Sequence, residues 1–102
     1  MATKKVRVNV TARDIRLGQP KGLHYCPIAR AVSRLGIARD MRASAAPGAA
    51  YLMGPFMFGE YAEEVVRYCL RLPPHATEFM YQFDASNPVK PFRFTAYVEE
   101  AV

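Results

Sequence analysis

The chain has 102 residues, and its 51% hydrophobic content is enough for a single domain, residues 1–102, with a modest core. This composition excludes disorder of the whole chain, and no apolar run approaches the roughly 20 residues needed to span a bilayer. The net charge of +5 is unevenly distributed, because residues 1–42 carry +8 and the remainder carries −3. We therefore expect a cytoplasmic protein whose first part meets an anionic partner and which has no membrane contact.

The first two predicted elements are a strand and a short helix. Lys5–Val10 alternates strictly between polar residues and valines, which is the period of a half-buried strand. Thr11–Ile15 predicts a helix in which Thr11 is the N-cap and Asp14 lies in the first turn, at the positive end of the helix dipole. Gly18 ends this helix after about one and a half turns.

A central helix is predicted next, with a marked start and a marked end. The loop Gln19–Leu23 leads into it, Pro27 occupies the first turn and Gly36 closes it. Arg30 and Arg34 project from one side of this helix. Its apolar stripe, at helical spacing, consists of Ile28, Val32 and Leu35.

A β-hairpin is predicted around the Pro47-Gly48 turn. The stretch Ile37–Ala46 contains the first strand, which is weakly marked because alanine is a poor strand former. Ala49–Phe58 is the returning strand. The hairpin therefore extends the predicted sheet.

The apolar segment Met53–Gly59 has no clear periodicity, because Gly54 and Pro55 interrupt the strand pattern. Two interpretations stay open. The segment is a loop that folds over the core, or it is a contact surface whose flexible thioethers and flat rings suit a partner or self-association. The candidate interface residues are Met53, Phe56, Met57 and Phe58.

Three further elements complete the predicted fold. Val65–Leu72 alternates and predicts a strand with Val66 on the face of Tyr68, and Pro91–Val98 predicts a last strand. Between them Pro73-Pro74 opens an amphipathic helix. Its apolar face consists of Ala76, Phe79, Met80 and Phe83. The order of elements predicts an α+β fold, a mainly antiparallel sheet of about four to five strands with two to three short helices packed on one face.

The alternating strands place cations on the sheet face that points away from the helices. The residues predicted to share this face are Lys5, Arg7, Arg67, Arg71, Arg93 and Tyr97. Such a face is suited to follow phosphates and to stack a base or nucleotide. The alternative is a solvated polar face. The aromatic-glycine segments typical of RNA-recognition sheets are absent from the sequence.

A second group of cations surrounds the central helix. Its members are Arg13, Arg16, Lys21, Arg30 and Arg34. A helix-turn-helix is disfavoured, because the intervening loop is long and rich in glycine and proline. Arginine pairs with carboxylates as readily as with phosphates, so an acidic protein partner is an equal alternative for this group.

Local spacing does not support a catalytic or metal site. Cys26 precedes Pro27 near a helix N-terminus, where the dipole lowers a thiol pKa, and His24 is two residues away as a possible base. No acid that orients His24 can be assigned, so a buried or capping cysteine is favoured over a nucleophile. The histidines and cysteines lack metal-ligand spacing. We expect reduced thiols, no metal, no cofactor and no enzymatic activity.

Four short segments form a recognisable pattern, and they are Val10–Ile15, Cys26–Val32, Leu72–Ala85 and Pro88–Phe94. The pattern resembles a group of small proteins encoded by actinobacteria and their phages. The group has no established activity, so the resemblance implies a phage or mobile-element setting and no catalytic residues. Members often carry a further cysteine shortly before the Cys-Pro pair. This chain reads Gly22–Tyr25 there, which counts against a metal or paired-thiol site.

Two functions follow as hypotheses. The leading one is a small non-enzymatic accessory protein of a phage or mobile element, acting in the bacterial cytoplasm, that binds nucleic acid or a nucleotide through its arginines. The alternative is an inhibitor or adaptor that binds a host defence protein through the apolar Met/Phe segment. An exposed segment of that kind also favours a homodimer.

Overall fold

The computed structural model describes residues 4–22, 24–37 and 41–101. These residues form β1 (Lys4–Val10), α1 (Ala12–Leu17), α2 (Pro27–Ser33), β2 (Arg42–Ala46), β3 (Ala49–Phe58), β4 (Tyr61–Arg71), α3 (Pro74–Asp84) and β5 (Phe92–Glu100). The strands form one antiparallel sheet in the order β1-β5-β4-β3-β2. The predicted α+β class is confirmed. Leu23 of the predicted loop and residues 38–40 of the predicted hairpin lie outside the described residues.

Two helices begin where the sequence marks their starts. The Thr11 hydroxyl accepts the Asp14 N–H (3.2 Å), and the Asp14 carboxylate accepts the Thr11 N–H (2.9 Å), which completes a capping box on α1. At α2, Cys26 Sγ accepts the N–H of Ala29 at 3.4 Å, so this cysteine is the N-cap. The helix ends at Ser33, three residues before the predicted Gly36.

The sheet curves around α2. This helix contacts both edge strands, β1 and β2, as well as β3. Five strands spaced at about 4.8 Å make a flat sheet about 19 Å wide, whereas a helix is only about 10 Å wide. A helix therefore reaches both edges only if the sheet bends towards it. On the same face α3 packs against β5, with the rings of Phe79 and Phe92 4.6 Å apart.

The core lies between the inner face of the sheet and the helices. The buried sheet residues in this core are Val8, Val10, Ala43, Ala45, Ala50, Leu52, Leu70, Phe94, Ala96 and Val98. The helices contribute Ile28 and Val32, both almost fully buried, together with the predicted face of α3. Among the described residues no helix lies on the opposite sheet face, and we call it the open face.

The β3–β4 hairpin extends beyond the rest of the sheet. The pairing of β2 with β3 ends at Met53, and β5 pairs with β4 only from Tyr68 onwards. Among the described residues, 54–66 therefore pair only with one another, and we call this two-stranded segment the arm. It contributes to a molecule measuring 48 × 24 × 19 Å. The predicted returning strand Ala49–Phe58 is confirmed, and the interpretation of Met53–Gly59 as a loop over the core is wrong.

A β-bulge lies at the base of the arm. Leu52 faces Tyr68 while the next residue, Met53, faces Val66, so Arg67 is an extra residue on β4. In a bulge of this kind, two consecutive residues project to the same side of the sheet. Arg67 projects to the inner side together with Tyr68, which faces the buried Leu52. Its guanidinium there lies 5.3 Å from the ring centroid of Phe56. The predictions that Arg67 shares a face with Arg71, and Val66 with Tyr68, are wrong.

Candidate nucleic-acid interface

The open face brings cations of two neighbouring strands together. In the β1–β5 register Lys5 faces Tyr97, Arg7 faces Thr95, and Asn9 faces Arg93. Facing residues of an antiparallel pair project to the same side. The structure thus places Lys5, Arg7, Arg93 and Tyr97 on one exposed surface. The alternation that predicted the cations also marks Asn9 and Thr95 as their polar neighbours.

Arg71 continues this surface onto the adjacent strand β4. Its side chain is 77% exposed, and its Nε lies 3.7 Å from a carboxylate oxygen of Glu99, so part of its charge is balanced. Arg42, which the sequence did not single out, forms an ion pair with Glu64 across the β2–β3–β4 side of the sheet. Within the described ranges no such carboxylate partner is found for Lys5, Arg7 or Arg93.

An aromatic side chain lies among these cations. Tyr97 is 50% exposed and directly faces Lys5 across the strands. An open depression of about 290 Å³ is lined by Lys5, Val6, Arg7 and Thr95. A second, of about 380 Å³, lies at the β1–α1 junction beside Arg93. Cations, hydrogen-bonding side chains and one ring thus share a surface without a deep cavity.

The second predicted cationic group does not form a surface, because Asp14 binds two of its members. Asp14 is fully buried, and both of its carboxylate oxygens accept hydrogen bonds from Arg34, one of them at 2.6 Å. Arg34 also donates to the carbonyl of Asn9 at 3.0 Å, and Arg30 Nε lies 3.6 Å from the carboxylate. Arg30 and Arg34 therefore join α2 to α1 and to the end of β1.

The electrostatics of this ion pair follow from its contacts. Burial raises the pKa of Asp14, but the hydrogen bonds from Arg34 and Thr11 outweigh it, and the net pKa lies below the ordinary value of 3.8. The hydrogen bonds that Arg34 donates to Asp14 raise the pKa of Arg34. Asp14 is therefore ionised at neutral pH, and its charge neutralises part of the predicted cationic group.

The remaining members of that group lie away from the open face. Arg13 and Arg16 are exposed on α1, in the helix layer. Lys21 is also exposed, and its backbone N–H donates to the carboxylate of Asp84 at 2.8 Å. Since the helices cover the inner face of the sheet, the two predicted cationic groups lie on different sides of the molecule.

Cys26 has the surroundings of a structural thiol. It is 5% exposed, and burial raises its pKa despite the backbone N–H groups of Ala29 and Ile28. The favoured prediction of a buried, capping cysteine is confirmed, and desolvation outweighs the effect of the helix N-terminus on the thiol pKa. The His24 ring nitrogen Nδ1 lies 3.2 Å from the carbonyl of Ala43 on β2. In the parts of the chain that the structure describes, no three His, Cys, Asp or Glu side chains cluster as metal ligands.

The predicted interface residues all belong to the arm or its base, but they divide between its two sides. Phe56 and Phe58 lie on the inner side with ring centroids 5.2 Å apart. Met53 and Met57 alternate onto the other side, and Met57 is 61% exposed. Tyr61, which the sequence analysis did not include, stacks on Phe58 at 6.1 Å and is 60% exposed.

Comparison with known proteins gives no assignment for this chain: no family model, no curated protein and no solved structure matches it. The longest helix among the described residues, α3, has 11 residues, and none is long and apolar enough to cross a bilayer.

Proposed function

We propose that the protein is a binding module that holds single-stranded nucleic acid on the open face of its sheet. The observation that carries this proposal is the register that sets Lys5, Arg7 and Arg93 on one sheet face with the half-exposed Tyr97. Cations neutralise phosphates while an aromatic ring stacks on a base, and the two together are what proteins use on single strands.

The shape of the open face favours a strand over a free nucleotide. The cations are spread along two strands of an outward-curving surface rather than gathered around one cavity. Residues two apart on a strand project about 6.6 Å apart, so Lys5 and Arg7 reach different points of an extended backbone. A mononucleotide would contact only a fraction of these groups. The phage or mobile-element setting rests on the sequence resemblance alone.

The test is a salt titration of binding to a fluorescent oligothymidine. If Lys5, Arg7 and Arg93 each neutralise one phosphate, log K should fall with log salt at a slope of about −2, since single strands give about −0.7 per contact. Arg93→Ser should weaken binding and reduce that slope by about 0.7. Tyr97→Ala should cost about 1–3 kcal/mol of binding free energy and leave the slope unchanged.

Two matched controls lie in the helix layer. Arg16→Ser removes an exposed cation from α1, and Tyr81→Ala removes a tyrosine that is 56% exposed on α3. Neither should change the affinity by more than about twofold, because neither lies on the open face. Undetectable binding, or equal losses in Arg16→Ser and Arg93→Ser, would contradict the proposal.

A further inference from the structure

The inner side of the arm carries a continuous row of neighbouring groups, one guanidinium and three aromatic rings. From base to tip these are the guanidinium of Arg67, then Phe56, Phe58 and Tyr61, with successive separations of 5.3, 5.2 and 6.1 Å. We call this row the ridge. Elsewhere the same side of the sheet is covered by helices, whereas Phe58 is 39% and Tyr61 60% exposed.

In the part of the chain that the structure describes, few contacts join the arm to the body. Beyond Met53 and Val66 its described strands pair only with each other, and the Arg42–Glu64 ion pair and the hydrogen bond from Arg67 to the carbonyl of Pro55 join it to the body. An isolated two-stranded hairpin is at best marginally stable in water, and contiguous exposed apolar surface marks an interaction site. The ridge therefore needs a partner that is itself apolar.

The charge on the ridge side of the arm changes from positive at the base to negative at the tip. Arg67 lies at the base of the arm, Glu63 faces Phe56 near the middle, and Glu60 lies in the turn at the tip. The arm carries no other cation on this side, since residues 54–66 contain three glutamates and neither lysine nor arginine. When two such arms lie antiparallel, the base of each meets the tip of the other. Each Arg67 then faces the tip of the other copy, where Glu60 lies, while ring packs on ring.

We propose that the ridge is the interface between two copies of this chain, packed antiparallel about a two-fold axis. A two-fold contact requires a surface complementary to itself, and a cation at the base, three rings and a carboxylate at the tip fulfil that requirement. The open face is a poorer partner for the ridge, because among its cations it offers one exposed ring, Tyr97. The β1 edge is also disfavoured, since two copies would bring Lys4, Lys5 and Arg7 against like charges.

The size of the contact sets its strength. The arm is about 17 Å long, from five residues per strand at about 3.4 Å each. Such a contact buries less than the roughly 800 Å² per partner of a standard interface, so we expect a reversible dimer with a dissociation constant of about 10–100 μM. Aromatic anchors and desolvated arginine are the side chains that carry most energy in interfaces of this kind.

Sedimentation equilibrium across this concentration range tests the proposal. The wild-type mass should rise from 11.5 kDa towards twice that value as the concentration increases. Phe58→Ser/Tyr61→Ser should remain monomeric at the highest concentration with an unchanged circular dichroism spectrum, because both side chains are exposed. A wild-type protein that stays monomeric throughout, or a double variant that still dimerises, would overturn the proposal.

A charge exchange tests the antiparallel arrangement without removing any ring. Arg67→Glu and Glu60→Arg/Glu63→Arg should each be monomeric alone, whereas a mixture of the two should regain the dimer mass. Glu78→Arg, which makes the same Glu-to-Arg exchange at one position on α3, is the control and should dimerise normally. Loss of the dimer in Lys5→Glu/Arg7→Glu, with both ridge variants unaffected, would instead place the arm on the open face and refute the ridge contact. These masses are measured without nucleic acid, so they are independent of the function proposed above.

Discussion

Asp14 holds together the junction of three elements. Its side chain completes the capping box of α1 with Thr11 and binds Arg34 through both oxygens. Arg34 in turn donates to the carbonyl of Asn9 at the end of β1. A carboxylate with no solvent exposure is tolerated only when its charge is balanced, so this ion pair is a condition for packing α1 against α2.

Replacing this carboxylate by an amide should be strongly destabilising. Asp14→Asn preserves the shape of the side chain but leaves Arg34 and Arg30 without a counter-charge. Breaking a buried ion pair costs about 3–5 kcal/mol. Because Arg34 is half-exposed and solvent screens its charge, the expected loss is about 2–3 kcal/mol. Urea denaturation measures it, with Thr11→Ala as the control that removes only the cap and costs about 1 kcal/mol. A loss no larger than that of the control would show that the ion pair contributes no more than the helix cap.

The same pair gives the stability a defined pH dependence. Because the pKa of Asp14 is lower in the folded than in the unfolded chain, its contribution is complete above the unfolded value of 3.8. That contribution decreases as the pH falls below 3.8 and is lost once the pH passes the folded value. The stability difference between wild type and Asp14→Asn should therefore shrink between pH 5 and the acid limit. A difference that stays constant would assign the effect to packing rather than to charge.

At the scale of elements, two glycine turns with different surroundings separate the body of the sheet from the arm. Gly48, with φ +89°, follows Pro47 between β2 and β3, and Gly59, with φ +65°, opens the turn at the arm tip. Gly48 is tied into the body, since its N–H donates to the Thr77 hydroxyl and its carbonyl accepts the N–H of Leu72, both at 3.0 Å. Alanine would meet no atom within 4 Å at either position, so its cost is conformational.

The two substitutions should therefore differ in how much of the structure they destabilise. Gly48→Ala should lower the global free energy of unfolding by about 1–2 kcal/mol, the cost of a left-handed residue with a Cβ. Gly59→Ala should accelerate amide hydrogen exchange in residues 54–66 while changing global stability by less than about 0.5 kcal/mol. Both measurements belong at concentrations where the chain is monomeric. Equal effects on global stability would mean that the arm folds as part of the body.

Local patterns predicted the elements whose signals are local. The valine alternation of β1, the Thr11 cap and the spacing of Ala76 to Phe83 each specify a structure within one segment, and each prediction is confirmed. The end of α2 was predicted wrongly: the helix was expected to continue through Leu35 and to be closed by Gly36, whereas it ends at Ser33. Non-local pairing decides the remaining features.

The bulge and the arm could not be read from sequence spacing. Strict alternation assigned Arg67 to the open face, and only the pairing of Met53 with Val66 reveals the extra residue. Gly54-Pro55 looked like a strand break, yet β3 continues through it and Pro55 pairs with Glu64 of β4. The described part of β2 pairs with β3 only as far as Met53, and a strand accommodates a proline where its nitrogen is not needed as a ladder donor. The Asp14–Arg34 ion pair could not be predicted from local spacing either, because its two residues are 20 positions apart in the chain.

At the scale of the whole molecule, charge and apolar surface are separated. The arm, residues 54–66, carries −3, so the remainder of the chain carries +8. The open face and the ridge also lie on opposite sides of the sheet. Nucleic acid and a second copy of the chain would therefore not compete for the same residues, and a dimer would carry two open faces.

The two proposals together predict a dependence on the length of the nucleic acid. A short oligothymidine of about 10 nucleotides engages one open face, whereas one of about 40 nucleotides is long enough to reach both faces of a dimer. Two linked binding sites raise the apparent affinity by about 100-fold or more when the geometry permits, although neither site gains a new contact. Wild type should therefore prefer the longer strand far more than Phe58→Ser/Tyr61→Ser does, while both bind the short strand equally. Fluorescence anisotropy at fixed salt measures the four constants, and the monomeric variant corrects for the larger number of overlapping sites on the longer strand. An equal preference in the two proteins would mean that the dimer does not present its open faces to one strand.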